Sequence, residues 1–277
     1  MNDLRINNLN QSNGLFTKNK TYYSISGSTG PYLIFIHGVG LNGEIWGPQI
    51  EYFSQNHRVV TYDFLGHGLS EAPSKTPKLE DYVEQLNELV QSINISSFAL
   101  IGHSMGALIS VAYSLKYPKN INAIISLNIV YKRSIKARNE VIKRANTILK
   151  TREIGNIDET LERWFKNKTD INQMEKINKV RKFLSNASPK GYGEAYKLFA
   201  KSDSIFENKL NELKPPTLYL TGSDDPNSTS KMSKEMANES PKGVSKSIDN
   251  EAHMMAYIAP EKVNPIIEDF LITNEQS

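Results

Sequence analysis

The chain has 277 residues, 39% hydrophobic and 23% charged, with a net charge of +3 and no cysteine. This length suits one large domain, with or without an inserted subdomain, and the composition excludes a disordered chain. The missing cysteines exclude disulfides, thiolate metal sites and a cysteine nucleophile, and so small a net charge offers no global attraction to nucleic acid or to a membrane.

In chain order, residues 1–5 lead into a polar, asparagine-rich stretch without the apolar core of a signal peptide. No apolar run is long enough to span a bilayer, so a soluble cytoplasmic protein is expected. The Asn-x-Ser/Thr triplets at Asn94 and Asn167 are chance occurrences in so asparagine-rich a sequence. Tyr32 to Ile36 reads as a buried central strand ending at His37-Gly38, and Arg58 to Asp63 as a second strand ending in the turn Gly66-His67-Gly68. Leu79, Tyr82, Val83, Leu86, Leu89, Val90 and Ile93 recur at helical spacing and predict an amphipathic helix. Phe98 to Gly102 is a third strand. Leu108, Val111, Ala112 and Leu115 mark a helix that Pro118 stops, and Ile121 to Leu127 is a fourth strand.

The pattern then changes. Residues 131–208 have helical character and no convincing strand. Between Tyr131 and Lys182 stand 15 basic and 7 acidic side chains, whereas the rest of the chain carries 18 and 23. The sheet pattern resumes over Thr217 to Thr221, and a last helix is expected from about Pro260 to Leu271. Strands alternating with helices predict an α/β fold with a largely parallel sheet. The expected division is a core formed by residues 1–130 and 209–277, with residues 131–208 inserted as a helical cap.

The chemistry concentrates in Gly102-His103-Ser104-Met105-Gly106, a G-x-S-x-G between a strand and a helix, as a nucleophile elbow requires. Ser104 is the candidate nucleophile. A serine hydroxyl needs a base, and His253 follows the last part of the sheet pattern. His37, His57, His67 and His103 occupy turns, a strand edge or the elbow itself, and structural roles are expected for them. The orienting acid belongs after the strand at 217–221, where Asp224 and Asp225 compete. The spacing from Gly222 favours Asp225. The oxyanion hole is expected from the backbone N–H groups of Met105 and Val39. Asn128 ends its strand without a carboxylate, so the acid is not expected there.

These segments, FIHGVGLNGEIW, VVTYDFLGHGLS, LIGHSMGA, LYLTGSDDP and EAHMMAYIAPE, resemble the α/β-hydrolase superfamily over almost the whole chain. The run HGVGLNGEIWGPQ and the segment from Asn128 to Arg133 resemble the 3-oxoadipate enol-lactonase-like carboxylic ester hydrolases. The resemblance implies an eight-stranded, mostly parallel sheet, a helical cap, a structural role for Asp63, and ester or lactone hydrolysis through an acyl-enzyme without a cofactor or a metal. Hydrolysis of an amide or enamide is the runner-up, since some hydrolases of amidomethylene-succinates resemble this fold. Carbon–carbon bond hydrolysis is a weaker alternative, because Met254 and Met255 stand where such enzymes often carry a tryptophan. A ligand-binding receptor on a hydrolase fold is the reading from another class, and turnover of an aryl ester separates it from an enzyme. The partner expected is a small-molecule substrate. The basic cap raises the possibility that it bears a carboxylate, with Arg133, Arg138 and Arg163, beside Trp164, as candidate contacts.

Overall fold

The structure is a computed structural model and describes residues 14–166 and 170–275. The leaderless reading of residues 1–5 and the triplet at Asn167 lie outside the described residues. Eight strands follow one another along the chain: β1 (Leu15–Phe16), β2 (Tyr22–Ser26), β3 (Tyr32–Ile36), β4 (Arg58–Tyr62), β5 (Phe98–His103), β6 (Ile121–Leu127), β7 (Thr217–Gly222) and β8 (Gly243–Ile248). They form one sheet in the order β1-β2-β4-β3-β5-β6-β7-β8. β2 runs antiparallel to its neighbours, and every other pairing is parallel. The four strands read from the first half of the sequence are the four central ones, and each is a nearly continuous apolar run because helices cover both faces of a parallel sheet.

Outside residues 131–208 lie α1 (Gly47–Phe53), α2 (Leu79–Ser92), α3 (Met105–Lys116), α8 (Ser230–Glu239), the short α9 (Met255–Ile258) and α10 (Pro260–Glu275). α3 lies against β5 and β6 with α2 alongside, α10 lies against β6, and α8 covers β7 and β8. The predicted helices at 79–93, 108–115 and 260–271 are α2, α3 and α10. The seven apolar residues that predicted the helix at 79–93 are now accounted for: six of them are buried, and Ile93 is packed at the helix end.

Between β6 and β7 the chain forms four helices: α4 (Ile135–Thr151), α5 (Ile157–Phe165), α6 (Ile171–Asn186) and α7 (Pro189–Lys201). Each starts at a side chain that accepts a hydrogen bond from a backbone N–H of its first turn: Ser134, Asn156, Asp170 and Ser188. Such caps satisfy donors that a helix otherwise leaves open, and each stabilises its helix by about 1 kcal/mol. α4 packs along α7, and α5 along α6. No helix among the described residues is long and apolar enough to cross a membrane.

Candidate active site

Parallel strands leave their carboxyl ends and following loops along one edge of the sheet, the usual place for a site in such folds. Here that edge gathers the His37–Gly40 turn after β3, Asp63 after β4, Ser104 after β5, Asn128 after β6, Asp225 after β7 and His253 after β8.

Ser104 sits between β5 and α3 with φ 55° and ψ −112°, a conformation an L-residue adopts only under strain. Its N–H donates to the Leu127 carbonyl on β6, and its own carbonyl accepts from the Ala107 and Leu108 amides at the start of α3. The turn also demands glycine nearby: a Cβ on Gly106 would stand 2.1 Å from the Ile36 carbonyl oxygen. The two amides expected to form an oxyanion hole belong to the turn after β3 and to the start of α3. Gly38 lies against the nucleophile, where an added Cβ would come within 3.3 Å of the Ser104 Cβ. Among the described residues, neither the Val39 nor the Met105 N–H has a hydrogen-bond acceptor. The Met105 amide also heads α3, where the helix end adds positive potential. At Gly40 the loop takes φ 80° and passes under α6 and α7 so closely that a Cβ would meet the Tyr192 ring at 2.5 Å.

His253 and Asp225 form a buried pair, with Nδ1 and Oδ2 2.6 Å apart. The Asn227 and Ser228 amides donate to the other carboxylate oxygen at 2.9 and 3.2 Å. Burial works against ionisation of Asp225. The His253 charge and hydrogen bond, together with those from Asn227 and Asn128, outweigh it and hold the carboxyl below its ordinary range. Asp224 is exposed, and among the described residues its carboxylate accepts only from the neighbouring Ser223 hydroxyl. Of the two competing aspartates, Asp225 is the one brought to the histidine. No hydrogen bond runs from the Ser104 hydroxyl to the imidazole among the described residues. Both line one cavity, and such contacts often tighten only around a substrate.

Two of the remaining histidines, His103 and His37, hydrogen-bond across the loops around Ser104. His103 Nε2–H donates to the His253 carbonyl at 2.8 Å, which ties the elbow to the base loop, and burial pushes its pKa down to about 3. His37 Nδ1–H donates to the Gly38 carbonyl at 2.8 Å, while its Nε2 accepts from the Phe64 amide at 3.1 Å. Burial and the neighbouring His67 keep His37 well below its ordinary value. Asp63 receives the Gly43 and Leu69 amides at 2.7 and 2.8 Å and so pins two loops. Burial raises its pKa despite those bonds.

The cavity encloses about 530 Å³ of unfilled space when the open solvent at its mouth is counted in. Its floor is Gly38, Val39, Ser104 and His253. Its roof comes from the inserted helices: Val141 of α4, Arg163 and Trp164 of α5, and Tyr192, Tyr196 and Phe199 of α7, with Arg133 at the entry to α4. Trp164 lies 5.7 Å from the His253 ring, and the Met254 N–H donates to its carbonyl at 3.2 Å. Arg133 is buried, donates through Nη1 to the Phe199 carbonyl at 3.2 Å and lies over the Phe199 ring at 4.4 Å, while its Nη2 has no partner among the described residues. Half-buried Arg163 reaches Thr160 through Nη2, and its Nε has none. Burial lowers both guanidinium pKa values; for Arg163 the next cause is Arg144, which also acts on Arg133. Two guanidiniums of the cavity lining, both with pKa values lowered by burial, thus each keep a nitrogen without a partner among the described residues.

Of the three sequence candidates, Arg138 is the one the fold takes away. It closes on the buried Asp203 through Nε and Nη2 and does not line the cavity. Proximity to the core in sequence suggested it, but α4 turns it to the opposite partner. Sequence reasoning missed the α7 aromatics, although Tyr192, Tyr196 and Phe199 lie at spacings of four and three, a helical stripe. It also missed Arg144, one turn along α4 from Val141, and the contact Asn128 makes with Asp225. Among the described residues, no group of three or more His, Asp or Glu side chains is gathered to hold a metal.

A family model described as the alpha/beta hydrolase fold matches residues 31–260. The chain is 39% identical to the (E)-2-((N-methylformamido)methylene)succinate hydrolase of Acinetobacter baylyi, over 93% of this chain and 96% of that protein. It is 28% identical to 3-oxoadipate enol-lactonase 1 of the same organism, over 72% and 73%. Among solved structures, a malate-bound thermophilic esterase from Thermogutta terrifontis superposes with a TM-score of 0.83, at 24% identity over 95% of this chain and 99% of that one. The enol-lactonase of Burkholderia xenovorans superposes at 0.81, with 21% identity over 94% and 99%. The match over most of the chain, the kinship to hydrolases and the sheet with its elbow agree: the protein is a hydrolase and belongs to the α/β hydrolase fold family.

Proposed function

We propose that the chain is a serine hydrolase that cleaves the acyl bond of a small dicarboxylate through an acyl-enzyme, and that the bond is the activated amide of an N-acyl enamine. The observation that carries this reading is the cavity itself: Ser104 and the Asp225-paired His253 on its floor, and two buried guanidiniums with free donors in its roof. Ser104 Oγ attacks the acyl carbon while His253 takes its proton. Asp225 holds the imidazole with Nδ1–H toward itself and stabilises the imidazolium. The oxyanion is met by the Val39 and Met105 amides. His253 then hands the proton to the leaving nitrogen, whose conjugation with an alkene makes it a better leaving group than that of an ordinary amide. Water, deprotonated by His253, releases the acid. Arg133 and Arg163 fix the two carboxylates and fasten the substrate with its acyl group toward Ser104. The inserted helices act as the cap that keeps bulk water away.

The sequence placed ester or lactone bonds first. The relative at 39% identity, named for a formamido-methylene succinate, supports the C–N bond ahead of them, and its substrate has the two carboxylates the arginines call for. The lactonase relative supports retained turnover of activated esters by the same groups. The test is steady-state kinetics of the purified chain on an N-acylaminomethylene succinate, its monoester and a neutral aryl ester, with mass spectrometry of the quenched enzyme. The expected result is the highest kcat/KM on the diacid and an acyl adduct on Ser104. Equal kcat/KM on all three, or no adduct on Ser104, overturns the proposal.

A further inference from the structure

Asn128 occupies the place where β6 ends, buried and with φ 51°. Its Nδ2 donates to Asp225 Oδ2 at 2.8 Å, and that same oxygen faces His253 Nδ1 at 2.6 Å. The Ala252 carbonyl and the Thr221 hydroxyl lie at 3.4 Å from Nδ2. One amide group thus links the end of β6, the acid loop and the residue before the base. Its Oδ1, by contrast, is buried and has no partner among the described residues. An unpaired carbonyl in the core is an uncompensated cost that a leucine of similar volume would avoid. Packing therefore does not account for an asparagine here, whereas its donor does.

We infer that Asn128 is a positioning residue for the triad acid: it fixes Oδ2 of Asp225 in line with His253 and sets how strongly that carboxylate supports the imidazolium. The inference rests on the reading of Ser104, His253 and Asp225 given above. Two consequences separate it from a structural role. A carboxyl at position 128 would hold a proton between itself and Asp225 at low pH and donate to Oδ2 as the amide does. On ionising, it would add a second negative charge beside the base and raise the affinity of His253 for a proton. Since the position 128 side chain already reaches the oxygen that pairs with Nδ1, a carboxylate there is also placed to take over from Asp225.

The experiment uses the full-length chain with an aryl ester as probe. Asn128→Asp should move the acid limb of the kcat/KM profile up by about one pH unit, with KM little changed. Asp225→Asn should lose most activity, and Asn128→Asp combined with Asp225→Asn should recover at least about tenfold over that single variant. Asn128→Leu should lower kcat by roughly tenfold or more at an unchanged KM. An acid limb that stays in place in Asn128→Asp, or a double variant no better than Asp225→Asn, overturns the inference. Neither depends on the leucine variant folding. Ser104→Ala serves as the control for the underlying reading: full turnover in that variant would sink the triad, while an inactive Ser104→Ala with unmoved Asn128 variants sinks only the role of Asn128.

Discussion

Arg138 closes on Asp203 with Nη2 2.9 Å from Oδ2, and the same buried carboxylate receives the Arg133 backbone amide at 2.8 Å and stands 3.8 Å from the Arg133 guanidinium. The arginine that faces the cavity is thus held through an acid that a second arginine neutralises. Arg133→Met and Arg163→Met should each raise KM about tenfold or more for a diacid, in keeping with roughly 1.5–3 kcal/mol for a charge-assisted hydrogen bond, and leave a neutral aryl ester nearly untouched. Arg138→Met should act more weakly, since it touches Asp203 and not the substrate. KM values for the three variants on charged and neutral substrates check this, and identical behaviour on both removes the arginines from substrate binding.

Ser104→Ala should cut kcat on the order of 10⁴-fold or more, because serine, histidine and aspartate act as a unit. The strained backbone adds a second expectation. Ser104→Gly should be as inactive but about 1 kcal/mol more stable than Ser104→Ala, since glycine adopts φ 55° without the steric cost of a Cβ. Urea unfolding of the two variants measures the difference.

Asp225→Asn should lose roughly 10³–10⁴-fold in kcat, as the imidazole loses its tautomer and its counter-charge. Asp224→Asn, altering an exposed side chain bonded to Ser223, should stay within about twofold of the parent. A collapse of the second variant with survival of the first would move the acid by one position.

Stability should fall below neutral pH. His37, His67 and His103 are buried, and burial depresses all three, His67 to about 4 and His103 to about 3, from 6.5. Above 6.5 neither the folded nor the unfolded chain protonates them, and they contribute no pH dependence. Between 6.5 and about 4 only the unfolded chain takes up the protons, so each histidine removes about 1.4 kcal/mol per pH unit as pH drops. Unfolding free energies at pH 7, 6 and 5 should decline ever more steeply, and His67→Gln should shed one histidine's share. A flat profile from pH 6 to pH 5 would contradict neutral buried imidazoles.

The central sheet was legible because local signals coincided there. β6 has the bounds its apolar run predicts, and β5, the elbow and α3 follow from an apolar run, two glycines and Pro118. β8 was not read because it is an edge strand: Gly243–Ile248 is largely exposed and polar, so neither alternation nor an apolar run marks it. The candidate nucleophile, base and acid were proposed from spacing, since each follows a strand end. The roof could not. Whether an arginine near the start of α4 lines the cavity or only pairs with the buried Asp203 after α7 depends on how α4 and α7 pack, and Arg133 and Arg138, five residues apart, come out differently. Asn128 gave no signal, because an amide at a strand end looks like a turn residue until its partner, 97 positions later, is placed beside it.

The hydrogen bond from the Met254 amide to the Trp164 carbonyl joins the roof to the residue next to His253. Any displacement of α5 away from His253 would break it and leave the Met254 amide unpaired, at a cost of about 1–3 kcal/mol. The shut arrangement and the ordered imidazole are therefore favoured together. On the proposed reading, a substrate carboxylate bound by Arg163 would also hold α5 against that bond, so that binding and placement of His253 would become a single event. A small neutral ester, with nothing for Arg163 to hold, gets no such help. Selectivity in this enzyme would then be registered in turnover as much as in affinity, through a roof that completes the machinery only over the molecule it was shaped for.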